Sequence, residues 1–397
     1  MDMLLIKNVT VHAEEETIPN GYVLIDGERI AETGREWKKD VSGLRVLEFT
    51  GKEQLIPGMI DLHIHGAGGA DVMDTGKEAL DTMTSLLPEE GTTSFLATTM
   101  TGSKENIEKA IQNAGEYMRV HGKPGSAEVL GIHLEGPFLS PKRAGAQHPG
   151  HIIEPDTELF KRWQELSRNA IRLVTLAPER PGGLELAAYL KRNGVTASIG
   201  HSDANHEEVL AGVEAGITHA THLYNGMSPL HHREPGVVGS VLLDDRITAE
   251  MIVDGVHISP PMVKLAYRNK GCEKVVLITD AMRAKCLSNG TYDLGGQDVD
   301  VKDGKATLKD GTLAGSILRM RDAASNMMAF AGCTIEDIIQ MTAVNPARQI
   351  GAYSRKGSIR SGKDADLVVL DSDHNILLTI CRGKISFQKE GDGHAAD

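Results

Sequence analysis

The sequence predicts an α/β chain, a (β/α)8 TIM barrel with a small β domain made from both chain ends. Three observations lead there. From Pro57 onward, short apolar runs alternate with amphipathic segments of helical period. Residues 3–56 carry only strand-like runs and turns, with no convincing helix among them. After residue 350 the strand texture returns.

The first strands fall at residues 4–11, 22–25 and 46–49, separated by turns such as Pro19-Asn20-Gly21 and Asp26-Gly27-Glu28. The apolar runs of the barrel are residues 59–65, 92–98, 129–135, 171–176, 196–201, 217–223, 247–253 and 274–280. Helix signals lie between most of them, at 75–87, 104–118, 156–166, 183–192, 205–215 and 260–269, and Pro260 and Pro261 suit a first helical turn. Strands that alternate with helices in this way make a barrel; a doubly wound sheet is the competing arrangement. Residues 316–329 and 334–347 read as further helices, and 365–370 and 376–381 as strands before a turn at Arg382-Gly383-Lys384. The chain thus divides into a small β domain of residues 1–56 and 350–397 and a barrel of residues 57–349. No repeat or low-complexity tract appears, and the tail at 390–397 is expected to be mobile.

A chain of 397 residues can bury a large core. Its net charge of −13 disfavours a nucleic-acid or anionic-membrane partner, so an anionic substrate needs a local basic patch. Cys272, Cys286, Cys333 and Cys381 are scattered without a CxxC, as in the reduced thiols of a cytoplasmic protein. The N-terminus lacks a signal peptide's basic region and long apolar run, and no stretch approaches the ~20 apolar residues of a membrane span.

The chemistry is organised around Leu55-Ile-Pro-Gly-Met-Ile-Asp-Leu-His-Ile-His65. On a strand, Asp61, His63 and His65 share one face, beside a flexible run containing Gly66, Gly68 and Gly69. Neutral imidazole is a common ligand for zinc and also suits iron and nickel. One His-x-His arises easily by chance; partners at other strand ends give this one its meaning. A barrel builds its active site at the C-terminal ends of its strands. Those ends offer His133 and Glu135 on the third, His201 on the fifth, His219 and His222 on the sixth, and Asp280 on the eighth.

These residues resemble the amidohydrolase superfamily. Together with Gly-Ile-His-Leu-Glu-Gly-Pro-Phe (131–138), Gly-His-Ser-Asp (200–203), His-Leu-Tyr-Asn-Gly-Met-Ser (222–228), Arg-Glu-Pro-Gly (233–236), Asp-Gly-Val-His (254–257) and Leu-Ala-Gly-Ser (313–316), they resemble its N-acetylglucosamine-6-phosphate deacetylase branch over residues 4–385. The resemblance implies a barrel with a β-sandwich formed by both termini. It also implies metal-dependent hydrolysis of N-acetyl-D-glucosamine 6-phosphate to D-glucosamine 6-phosphate and acetate, in amino-sugar catabolism. Glu135, His201 and His222 would hold one metal ion, and His63 and His65 a second, with Glu135 bridging. The fourth strand has no lysine to serve as an alternative bridge. Two divalent transition-metal ions per chain are expected, zinc or iron, with manganese or nickel also compatible.

Asp280 would be general base and then general acid, and could also touch the metal; its other reading is the N-cap of a helix starting at Ala281. His133 is expected to pack beside the ligands, and His219, opposite in phase to His222, to pack behind its strand. Asn225, Gly226, His232 and Arg233 would contact phosphate or sugar, an arginine fork with imidazoles being suited to phosphate. Asp254 and His257 would meet the sugar, Ala146 and Gln147 would close over the site, and Leu313, Ala314 and Gly315 would line the sugar pocket. A cytoplasmic homodimer is also implied. A galacto-epimer deacetylase remains open. A cyclic-amide or deaminase relative is disfavoured by the Arg233 loop and the Asp254–His257 motif. A catalytically dead binding barrel is disfavoured by the retention of every ligand type.

Overall fold

Both ends of the chain run into one mixed sheet. The structure, a computed structural model, describes residues 3–390; residues 391–397 of the tail expected to be mobile lie outside the described residues. The sheet runs Lys384–Gln388, Ile376–Cys381, Leu367–Leu370, Gln54–Pro57, Met3–His12, Thr17–Asp26, Arg29–Gly34, and it forks where Arg45–Glu48 also pairs with Met3–His12. Alternating apolar residues from these strands, among them Ile6, Val9, Val23, Ile25, Leu55, Leu367 and Ile380, enclose a core of their own. Gln54–Pro57 hands the chain straight to the barrel through Gly58. A Cβ at Gly58 would lie 2.1 Å from Thr93 Oγ1, so only glycine fits that junction.

The eight barrel strands are Met59–Ile64, Thr92–Thr99, Glu128–Glu135, Ile171–Leu176, Thr196–Ile199, Ile217–Ala220, Thr248–Ile252 and Val275–Ile278, paired in parallel in that order. Strands buried on both faces read as continuous apolar runs, and Met59–Ile64 and Thr92–Thr99 are buried throughout. At the seam between the eighth strand and the first, Asp280 N–H donates to His63 O at 2.8 Å and His65 N–H to Ala281 O at 2.9 Å. That seam places an acid from one end of the barrel sequence beside two histidines from the other.

Helices start where side chains satisfy their free N–H groups. Ser103 caps Lys104–Val120, Asp156 caps Thr157–Leu166, and Asn205 with Glu208 forms a capping box on His206–Ala215. Gly183–Arg192 and Pro260–Lys270 also stand where expected. Gly236–Leu243 is a helix the sequence reading lacks: seven of its eight residues are buried, so it has no polar face to set a period. A second addition is a three-stranded antiparallel sheet, Gly290–Leu294, Gln297–Lys302 and Lys305–Thr307, inserted after the eighth strand. The helix start expected at Ala281 does not form, because the chain turns there toward this insertion. The last helical stretch widens into a π turn at Gln340–Val344 just before Pro346, which has no N–H to donate.

Terminal sheet and barrel are joined through buried charge. Lys356 Nζ lies 2.8 Å from Glu128 Oε2 and 3.1 Å from Asp364 Oδ2, and it also pairs with Asp366. Arg355 reaches the same Glu128 with both Nη atoms, at 2.9 and 3.0 Å. No helix among the described residues is long and apolar enough to cross a membrane.

Candidate metal centre and substrate cavity

Two side-chain triads meet at the C-terminal rim. In the first, Glu135 Oε1 is 3.1 Å from His201 Nε2 and 3.1 Å from His222 Nε2, and the two imidazole nitrogens are 3.1 Å apart. In the second, Asp280 Oδ1 is 3.2 Å from His65 Nε2 and 3.4 Å from His63 Nε2. Glu135 joins them, since its Oε2 lies 3.2 Å from His65 Nε2 and 3.5 Å from His63 Nε2. All six residues are buried.

The tautomers fit a cation. His201 Nδ1 faces the carbonyl oxygen of Arg143 at 2.7 Å, and His222 Nδ1 that of Asn225 at 3.1 Å. A carbonyl only accepts, so each Nδ1 carries the proton and each Nε2 presents a lone pair. Two lone pairs and a carboxylate oxygen aimed at one point are a ligand set for a metal ion. His63 Nε2 is buried without a hydrogen-bond partner among the described residues, as a ligand nitrogen would be. Nitrogen and oxygen donors without thiolate suit zinc, iron, manganese or nickel.

Electrostatics agree. Burial works against charge on His63 and His65, but the carboxylates of Asp280 and Glu135 outweigh it; His63 is held well above the ordinary histidine range and His65 at about 9. Burial likewise opposes ionisation of Glu135, yet the surrounding histidines hold its carboxyl well below the usual range. The two carboxylates demand positive charge, from protons or from a metal. His133 is the reverse case: burial and then the neighbouring His63 push it well below the ordinary range, so it is neutral. It packs on the His63 ring at 4.5 Å, and its Nε2 meets Thr175 Oγ1 at 2.7 Å in a polar layer under the site.

Three of the six triad residues have left-handed backbone: His201 (φ 47°), His222 (φ 32°) and Asp280 (φ 48°). Each lies just past its strand, and strain of this kind gathers at functional sites. His219 corrects the phase argument. Its strand ends at Ala220 and the chain turns before His222, so alternation does not carry across. His219 is fully buried and faces into the barrel, where its Nε2 lies 3.0 Å from Glu250 Oε1 and its Nδ1 3.2 Å from Gln349 Oε1. Glu250, on the seventh strand, is absent from the sequence reading. Its Oε2 is 3.1 Å from His63 Nδ1 and accepts the His222 N–H at 3.2 Å.

A cavity of about 220 Å³ opens over the triads. His65, Glu135, His201, His222 and Asp280 form its floor; Ala146, Gln147, Asn225, Gly226, His257, Leu313 and Gly315 line its walls.

The amidohydrolase family model matches residues 54–386. The chain belongs to the amidohydrolase family. It is 49% identical over 393 residues to an N-acetylglucosamine-6-phosphate deacetylase of Bacillus subtilis, covering 98% of this chain and 99% of that one. It is 37% identical to an N-acetylgalactosamine-6-phosphate deacetylase of Escherichia coli O157:H7, covering 84% and 88%. A solved mutant N-acetyl-D-glucosamine-6-phosphate deacetylase from Mycobacterium smegmatis, in complex with N-acetyl-D-glucosamine-6-phosphate, superposes with a TM-score of 0.90 at 32% identity, over 98% of this chain and 100% of that one. Within the amidohydrolases the chain groups with the N-acetylglucosamine-6-phosphate deacetylases.

In this amidohydrolase the remaining candidates divide. Gln147 Nε2 donates to Glu135 Oε2 at 2.8 Å, and its Oε1 accepts the Thr101 N–H, so its amide is fixed from both sides. Asp254 stands behind His257, with Oδ2 at 2.7 Å from His257 Nδ1. Burial opposes the charge on His257, but that hydrogen bond outweighs it and raises the histidine above its ordinary range. Ala314 turns away from the cavity into a core formed with the inserted sheet. The insertion touches the site through Leu294 in the cavity wall and Gln297, whose Nε2 donates to Ala146 O at 2.7 Å. The period-two run Gln-Asp-Val-Asp-Val-Lys (297–302) is the signal that could have revealed it. His232 and Arg233 are not in the cavity wall: both are exposed, and Arg233 Nη1 pairs with His232 Nε2 at 2.7 Å.

Proposed function

We propose that this chain is a metal-dependent deacetylase that hydrolyses N-acetyl-D-glucosamine 6-phosphate to D-glucosamine 6-phosphate and acetate in amino-sugar catabolism. The observation that carries the reading is the pair of triads joined by Glu135 beneath a cavity into which Asp280 opens. His63, His65 and Asp280 would hold one divalent ion and Glu135, His201 and His222 the other, zinc or iron, with manganese or nickel also compatible. Bound there, the ions would supply Lewis-acid polarisation of the acetyl carbonyl and lower the pKa of water toward ~7.

The chain's own residues do the rest. Asp280 takes the proton of the attacking water and returns it to the departing amine, which is otherwise a poor leaving group. Gln147 fixes the Glu135 carboxylate by donating to Oε2, the oxygen that also faces His63 and His65. His257, oriented by Asp254, and the Leu313–Gly315 edge shape the sugar pocket, with Asn225 and Gly226 at its far wall. Among the described residues no lysine or arginine lines the cavity, so the phosphate is assigned to the cationic loop that leaves the wall at Gly226 and carries His232 and Arg233. A cytoplasmic homodimer is the proposed setting, with residues 1–56 and 350–397 as the small domain and 57–349 as the barrel.

The test is acetate release by purified protein of known metal content from N-acetylglucosamine 6-phosphate, its galacto epimer and the unphosphorylated sugars. Fast turnover of the gluco phosphate alone supports the reading. Faster turnover of the galacto phosphate reassigns the substrate, and no acetate from any of them refutes deacetylation.

A further inference from the structure

Glu250 lies inside the barrel on Thr248–Ile252, fully buried and away from the cavity wall. Its three hydrogen-bond neighbours are nonetheless informative: His63 Nδ1 and the His222 N–H on one oxygen, His219 Nε2 on the other. An ionised carboxylate only accepts. The proton between Glu250 and His63 therefore sits on His63 Nδ1, which leaves the Nε2 lone pair pointing at Glu135 Oε2 and Asp280 Oδ1.

The other histidines are arranged differently. His201 and His222 have their Nδ1 atoms fixed by backbone carbonyls, which no substitution at those partners removes. His65 Nδ1 is buried without a hydrogen-bond partner among the described residues. His63 alone of the four has its tautomer set by another side chain. The same Glu250 oxygen also holds the backbone of His222, at its left-handed turn. One oxygen thus ties the first strand's ligand pair to the triad of the fifth and sixth strands.

We propose that Glu250 is a positioning residue that fixes His63 as a ligand and thereby secures the ion held by His63, His65 and Asp280, while the Glu135–His201–His222 ion depends on it little. This rests on the two-ion reading above. Outer partners of metal-bound histidines commonly govern affinity about 10–100-fold. Removing both acceptors with Glu250→Leu should weaken one ion by that range. Glu250→Gln, which keeps one amide oxygen for His63, should weaken the same ion less.

The experiment is a zinc titration of metal-free protein against a chromophoric chelator, with circular dichroism to confirm folding. Wild type should bind two equivalents, Glu250→Leu one tightly and one about 10–100-fold more weakly, and Glu250→Gln an intermediate. His219→Leu removes the other partner of Glu250 without touching His63, and should keep both ions at wild-type affinity. If Glu250→Leu fails to fold, the comparison of Glu250→Gln with His219→Leu decides: selective weakening of one ion in the first and of neither in the second supports the role. Two ions at wild-type affinity in the folded Glu250 variants, or equal weakening of both ions, overturns it. A wild-type chain that binds a single equivalent overturns the two-ion reading and this proposal with it.

Discussion

Asp280→Asn separates proton transfer from shape. The Asp280 backbone is held on both sides, its N–H donating to His63 O at 2.8 Å and its carbonyl accepting from Ser316 N–H at 2.7 Å. Its φ of 48° is left-handed, a conformation asparagine adopts readily and that costs most other residues about 1–2 kcal/mol. Asparagine therefore keeps the backbone and the side-chain volume, whereas alanine would add strain and an empty site. What changes is that the amide cannot take a proton. General acid–base catalysis contributes about 10²–10⁴-fold, so kcat should fall by that factor, about 3–5 kcal/mol in barrier. KM should stay within about threefold, because uniform substrate binding comes from the cavity walls. Acetate release is measured at saturating and limiting substrate, with elemental analysis of the same samples. Asp280 Oδ1 is within 3.4 Å of both first-strand imidazoles, so metal loss must be scored separately from base loss. A fully metal-loaded Asp280→Asn protein with kcat within about threefold of wild type would refute the assignment and move the search to His257 on the same cavity wall.

Arg233→Ala should lower kcat/KM for the phosphorylated substrate about tenfold or more, a charged hydrogen bond being worth about 1.5–3 kcal/mol, and leave the unphosphorylated sugar unchanged; equal losses on both would remove Arg233 from phosphate recognition. Stripping the metal should lower Tm and re-addition restore it, since an ion at 100 times its Kd stabilises by about 2.7 kcal/mol; an unchanged Tm in protein shown to be metal-free would contradict a structural centre. Burial would raise the Glu128 carboxyl, but Lys356 and Arg355 overturn that and bring it down to about 2. Its folded pKa lies below the ordinary value of 4.5, so its contribution is complete above about 4.5 and is lost as pH falls through about 2. By linkage the contribution is at most about 3–4 kcal/mol. The Tm gap between wild type and Glu128→Gln should therefore shrink across that window, and a constant gap would show that Glu128 is not the titrating group.

The barrel was legible because its strands are buried almost throughout, with exposure only at positions such as Arg172 and Thr218, and the helices that follow most of them carry side-chain caps or a clear polar face. Ser103, Asp156 and Asn205 announce their helices, and those starts agree within about two residues. Gly236–Leu243 has no polar face and so no signal. The site was legible as a set of residue types at strand ends, and the structure brings His63, His65, Glu135, His201, His222 and Asp280 together. Glu250 was not legible. In Thr-Ala-Glu-Met-Ile an acid among apolar residues looks like a position facing solvent, and only closure of the barrel turns it inward against His63 and His219.

Alternation along a strand predicts faces only while the strand lasts, and this site is built where strands stop. Glu135 is the last residue of its strand and keeps the strand's phase. His201, His222 and Asp280 each lie two residues beyond theirs, and each itself takes a left-handed step that redirects the side chain toward the barrel axis. Glycine would make each step without strain, but glycine has no imidazole or carboxylate to offer. The chain bears about 1–3 kcal/mol at each position instead, and surrounding bonds hold it there. For His201 and His222 these are the Nδ1 bonds to the Arg143 and Asn225 carbonyls; for Asp280 they are the backbone bonds to His63 and Ser316. Substituting any of the three with a side chain other than glycine or asparagine would relieve none of this strain, which belongs to the backbone. Substituting glycine would relieve it and remove the donor. A metal-poor protein that is nonetheless more stable than equally metal-poor His201→Ala is therefore the expected product of His201→Gly, and a glycine variant that is less stable than His201→Ala would show that the left-handed step costs nothing here.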